Sequence, residues 1–199
     1  MPETVDYTQR RTEQGPGAVA LSIAGSMKAF GNGEMAALRR LGEDLAVPAY
    51  WRLAARHDAL HARREAWMPI VRALALLTPK GPREERGELH DPKRRLGTAL
   101  CDGGDLSWPG TLTPGAAPRP LISEARLAQL LAARGRQRAV LLTRAVRALA
   151  NSRDVGVGLD VDDLAWRFLD PDPEHLAAPY YARLDRAAII EKTERARHA

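Results

Sequence analysis

The sequence predicts an all-α protein of two small helical bundles packed together, about eight to nine helices in all. Hydrophobic residues make up 45% of the 199 positions and aromatics only 5%, and the apolar set is mainly Ala and Leu. Those two residues lose little rotamer freedom in a helix, and the β-branched and aromatic strand formers are few. Apolar positions also recur at helical spacing: Leu38, Leu41 and Leu45 form one stripe. With charged residues at 28%, the chain reads as globular rather than disordered.

Taken in order, residues 1–17 are polar, end in Gly-Pro-Gly and read as a frayed leader. A first helix is expected over 18–30, stopping at Gly31-Asn32-Gly33. Residues 34–46 read as amphipathic, with Arg39 and Arg40 turned away from the leucine stripe. Pro48 suits the first position of a short helix to about residue 56. A longer helix over 60–78 carries Trp67, Ile70, Val71, Leu74 and Leu77 on one face, with Pro69 marking a kink or fresh start. Residues 78–95, rich in proline and charge, read as a linker or mobile loop. A short helix at 96–101 precedes a long loop, 102–120. Ser123 caps a helix to about Arg134, Gly135 opens another to about Asn151, and Asp160 or Asp162 starts one ending at Leu169. A last helix runs from Pro173 into a charged tail. The expected division is an N-terminal bundle over 18–92, a C-terminal bundle over 93–185 and a tail over 186–199.

Several function classes lose support at once. The apolar runs are too short to span a bilayer. The first residues hold no apolar segment after a basic start, and Cys101 stands alone, so a cytoplasmic protein without an intrachain disulfide is expected. His57 and His61 have metal-site spacing, but Asp58 is one methylene short of the zinc-protease glutamate and no third ligand follows. Asp160, Asp162 and Asp163 are explained by a helix start. No dinucleotide loop, serine elbow or other catalytic constellation emerges, so neither enzyme activity nor a metal or cofactor is expected. Trp51, Trp67 and Trp166 are expected in the core, Cys101 is expected buried, and Trp108 is expected to anchor its loop.

Charge is the remaining signal. The net charge is +5, carried by 26 arginines and only 4 lysines. Arginine's planar fork suits phosphate, although a GC-rich genome also favours the residue. From Arg126 to Arg153 the chain holds Arg126, Arg134, Arg136, Arg138, Arg144, Arg147 and Arg153 with no acid between. On a helix from Gly135, Arg136, Arg144 and Arg147 fall within an arc of about 80°. Such a face either meets a polyanion or is a solvated face paired with acids from other helices.

Several motifs, in order, resemble one family. They are Ala37-Leu38-Arg39-Arg40, Pro48-Ala49-Tyr50-Trp51-Arg52-Leu53, Leu96-Gly97-Thr98-Ala99-Leu100, Ser123-Glu124-x-Arg126-Leu127 with Leu130-Leu131, Leu141-Leu142-Thr143-Arg144-x-Val146-Arg147-x-Leu149, and finally Trp166 with Tyr180-Tyr181. Together they are similar to the CasB family, the small subunit of the type I-E CRISPR surveillance complex, Cascade. The resemblance implies a non-catalytic, all-α subunit that contacts guide RNA, target DNA, other Cascade subunits and a second copy of itself. It implies phosphate contacts at Arg39, Arg40, Arg52, Arg126, Arg144 and Arg147, extended by Arg94, Arg95 and Arg136. Thr143 departs from the family, which often has a basic residue there, and the loops 78–95 and 102–120 are long for it. The alternative from a different class is a helical adaptor whose arginine face binds acidic protein partners.

Overall fold

The structure, a computed structural model, describes residues 15–42, 46–110, 118–154 and 156–197, with the backbone alone for 191, 192 and 194–197. Most of the expected leader, Leu45 of the leucine stripe and the middle of the 102–120 loop lie outside the described residues. Among the described residues every regular element is helical: ten α-helices, one short 3-10 turn and no strand.

Local signals set most of the boundaries. Pro16 opens α1 (Pro16–Met27) and Pro48 opens α3 (Pro48–Ala54), where a missing N–H costs nothing. Between them lies α2 (Asn32–Arg39), whose Glu34 carboxylate accepts from the Gly31 N–H at 2.9 Å. This helix stops well short of the expected 46, because Arg40 leaves helical geometry at φ −99° and ψ 3°. The single helix expected over 60–78 is two, α4 (Asp58–Ala62) and α5 (Arg64–Leu77). The break falls at Arg63, with φ −135° and ψ 51°, and α5 then runs through Pro69. In that early position the proline forfeits only the bond back to Glu65.

Helix α5 is the axis of the molecule. Trp67, Ile70, Val71, Ala73, Leu74, Ala75 and Leu77 are all buried, more than one stripe's worth. It packs on α1, α2 and α4, and also on α8 (Gly135–Ser152) and α9 (Val161–Leu169). Helix α1 lies along α9, so elements on the two sides of residue 93 meet in one continuous apolar cluster.

The segment between Thr78 and Arg95 is an ordered strap rather than a mobile loop. Buried Arg86 donates to the Phe30 carbonyl at 2.7 Å and to Asn32 Oδ1 at 2.7 Å. Further on, the Leu159 N–H donates to the Leu89 carbonyl at 2.7 Å and the Asp91 N–H to the Leu159 carbonyl at 2.9 Å, a lone parallel bridge at His90. Such pairing holds a proline-rich segment whose own helix and strand propensities are poor.

Helix α6 (Leu96–Asp102) ends at Gly103, whose φ of 69° suits glycine. It crosses α10 (Glu174–Arg197) at Gly97, where a Cβ would stand 2.2 Å from the Leu176 carbonyl oxygen. The glycine of the L-G-x-A-L motif therefore permits backbone-to-backbone packing. As expected, Ser123 caps α7 (Glu124–Ala132), and Asp160 Oδ1 accepts from the Asp162 and Asp163 N–H groups to start α9. Asp163 also reaches across to accept from the Leu96 N–H at 2.8 Å, capping α6 as well. Trp67 is buried and Trp166 half-buried, but Trp51, expected in the core, is 40% exposed.

Candidate nucleic-acid interface

The structure sorts the arginines into two populations. One satisfies the last carbonyls of helices, which have no intrahelical donor and lie at the negative end of the helix dipole. Arg39 donates from Nε to the Ala75 carbonyl at 2.9 Å and from Nη2 to Thr78 at 3.2 Å, while Arg153 donates to Leu77, all at the end of α5. Arg72 donates to the Arg39 carbonyl at 3.2 Å, closing α2. Arg134 donates to Leu131 and Ala133, and buried Arg138 to Leu130, closing α7. Burial lowers Arg39, Arg138 and Arg153 from the ordinary arginine value, with cationic neighbours adding to it. Two more buried arginines take carboxylates. Arg94 meets Asp102 at 2.6 Å, with Arg183 on the other carboxylate oxygen at 3.0 Å, and Arg167 meets Asp163 at 3.2 Å.

Two expected contact residues belong to this inward population. Arg94 is 7% exposed and committed to Asp102, so it does not extend a surface track. Arg39 folds back onto α5 instead of facing solvent beside Arg40. Arg138 and Arg153, members of the acid-free run, are likewise turned to carbonyls. A cation can be exposed in helical projection and still curl inward where a carbonyl row lies within its reach.

The second population faces outward. Arg40, Arg95, Arg126, Arg136, Arg144 and Arg147 are exposed, and so is Arg52, which forms an ion pair with Glu34. Among the described residues, Arg40, Arg126, Arg144 and Arg147 meet no carboxylate. Packing of α5 against α8 brings Arg147 close enough to Arg72 to lower it, after burial, from the ordinary arginine value. Because Arg72 holds the Arg39 carbonyl, the backbone of Arg40 starts beside it, and Arg144 lies about one turn from Arg147 along α8. The sequence did not single out Arg72: nothing local shows that it closes α2 from α5. Arg136 lies about 16 Å from Arg147 along α8. Arg126 is on α7, and Arg52 pairs at the far end of α2.

His57, Cys101 and Trp108 all serve the scaffold. His57 precedes α4 with Nε2 3.3 Å from Ser26 Oγ, and no cluster of metal-ligand residues occurs among the described residues. Cys101 is fully buried, and burial followed by neighbouring Asp102 pushes its thiol up to about 12. Trp108 anchors its loop: its indole N–H donates to the Arg119 carbonyl at 3.3 Å, and the Arg183 guanidinium lies 5.3 Å from its ring centroid.

The described residues thus form an all-α chain with exposed arginines on several helices. Residues 34–188 match the family described as CRISPR-associated protein Cse2, and the chain belongs to that family. Its members are non-catalytic subunits of Cascade in type I-E CRISPR defence. No curated protein and no solved structure matches the chain. No helix among the described residues is long and apolar enough to cross a membrane.

Proposed function

We propose that this subunit steadies nucleic acid inside Cascade through phosphate contacts from Arg40, Arg144 and Arg147, with Arg126 and Arg136 as outlying contacts. The nucleic acid is the guide RNA–target DNA hybrid and the displaced strand, and the neighbours are other Cascade subunits and a second copy of this chain. The observation that carries this reading is that Arg40, Arg144 and Arg147 are exposed and meet no carboxylate among the described residues, on the side where α8 packs against α5. Like charges held together cost free energy, and a polyanion reverses the sign of that term. Contacts of this kind position the backbone, while guide pairing reads the sequence.

The test is Arg144→Glu with Arg147→Glu in the assembled complex. The double variant should join the complex normally and release target DNA faster than wild type; retention equal to wild type would sink the proposal. Alone, the wild-type protein should bind random-sequence DNA weakly, with affinity falling steeply as salt rises, because each neutralised phosphate releases counterions. A flat salt response would favour an adaptor for acidic proteins.

A further inference from the structure

We propose that Trp51 and Arg64 form a stacking site for an unpaired base of single-stranded nucleic acid, at the corner where α3, α4 and α5 meet. The site deepens the reading above and rests on it. Tyr50 is fully buried and its hydroxyl donates to the Leu60 carbonyl at 3.0 Å, which fixes the rotation of α3. The next residue is turned about 100° away, and Trp51 accordingly stands 40% exposed. A tryptophan left this open forgoes much of the burial that usually stabilises it.

The ring is nonetheless held. Tyr50 meets it edge-on at 5.5 Å and 84°, the Arg64 guanidinium lies 5.3 Å from its centroid, and the His61 ring stands at 6.1 Å. His61 and Arg64 also wall a shallow recess of about 420 Å³, completed by Ala62, Arg63, Glu65 and Ala66. Here the planar Arg64 guanidinium lies over the Trp51 ring, and the outer side of such a cation–aromatic stack accepts a nucleobase face without regard to sequence.

Exposed Trp and Arg also mark protein interfaces, but two observations favour nucleic acid. Arg56, Arg63 and Arg64 are exposed and meet no carboxylate among the described residues, although Asp58 and Glu65 are exposed at the same corner. Helix α5 also carries both Arg64 and Arg72, about 12 Å apart along its axis, and Arg72 holds the carbonyl of the residue before Arg40, so the helix leads from this corner toward the proposed phosphate-binding surface. A duplex hides its base faces in its own stack, so the site should prefer single strands.

The experiment uses the full chain with labelled poly(dT) of about 15 nucleotides and with a duplex of equal length. Trp51→Ala should weaken poly(dT) binding about tenfold and duplex binding less than about twofold. Trp51→Phe should restore most of the loss, and Arg64→Ala should share it. Equal losses on both probes would overturn the site, as would unchanged poly(dT) binding by Trp51→Ala. If Trp51→Ala keeps poly(dT) affinity but no longer enters Cascade, the corner is a protein contact and the proposal falls. Arg144→Glu with Arg147→Glu serves as the control: if that variant loses binding while Trp51→Ala does not, the phosphate surface stands without this site. Loss of all wild-type binding at low salt would remove both.

Discussion

Arg39 and Arg72 clasp each other's helices. Arg39, the last residue of α2, donates to the Ala75 carbonyl of α5 at 2.9 Å, and Arg72 of α5 donates to the Arg39 carbonyl at 3.2 Å. Each cation thus closes a helix end that would otherwise leave carbonyls unsatisfied. The clasp also sets where Arg40, the next residue, leaves the surface.

Arg39 and Arg40 should therefore separate cleanly on mutation. Arg39→Ala should lower stability by about 1.5–3 kcal/mol, the range for hydrogen bonds that involve a charged group. Arg40→Ala should shift stability by no more than about 0.5 kcal/mol yet weaken DNA binding and reduce the salt slope by about one. Urea denaturation and a salt titration read the two effects, and the opposite assignment would refute the clasp.

Asp102 is the hub of a buried charge cluster. Its carboxylate meets Arg94 at 2.6 Å, Arg183 at 3.0 Å and the Gly104 N–H at 3.0 Å. Asp102→Asn keeps the shape and leaves two inward cations uncompensated, so a loss of about 3–5 kcal/mol is expected. Arg94→Ala leaves the carboxylate one cationic partner and should cost less. Thermal denaturation of the two variants gives the order.

Acid should find His57. Burial, helped by Arg56, lowers its pKa from the ordinary 6.5. In the unfolded chain the imidazole takes a proton near that value, while in the fold it resists. Its contribution to stability is therefore complete above about pH 6.5 and drains away as pH falls through the lower folded value. His57→Gln should flatten the pH dependence of stability between about pH 7 and 5. An unchanged slope in that window would show that another group governs it.

Gly97→Ala tests the crossing of α6 and α10. An added methyl would stand 2.2 Å from the Leu176 carbonyl oxygen, a backbone atom that cannot swing aside. A loss of about 2–3 kcal/mol is expected, although alanine is the better helix former by about 1 kcal/mol. A neutral or stabilising result in equilibrium unfolding would mean that the two helices can slide apart.

Much of the scaffold is legible in the sequence because its signals are local. Asp160 and Ser123 cap the helices that their positions predict, and Pro48 and Gly135 open theirs. Leu38 and Leu41 are buried as their spacing requires, and Cys101 is buried. Each of these depends on a residue and its neighbours within a turn or two. The strap at 78–95 is not legible in the same way, because its partners, Phe30, Asn32 and Leu159, are distant in sequence and no local pattern names them.

The candidate interface divides along the same line. The sequence by itself determined the helical class, the arginine excess, the exposed α8 pair Arg144 and Arg147, and the family motifs. Only the tertiary structure decided which arginines remain available to an anion. It folded Arg39 onto α5, buried Arg94 against Asp102, turned Arg72 to the Arg39 carbonyl and left Trp51 on the surface. The physical reason is that a guanidinium on a long, flexible stem goes to whichever acceptor the packing brings within reach. Helical projection fixes where that stem starts, and the neighbouring helices fix where it ends.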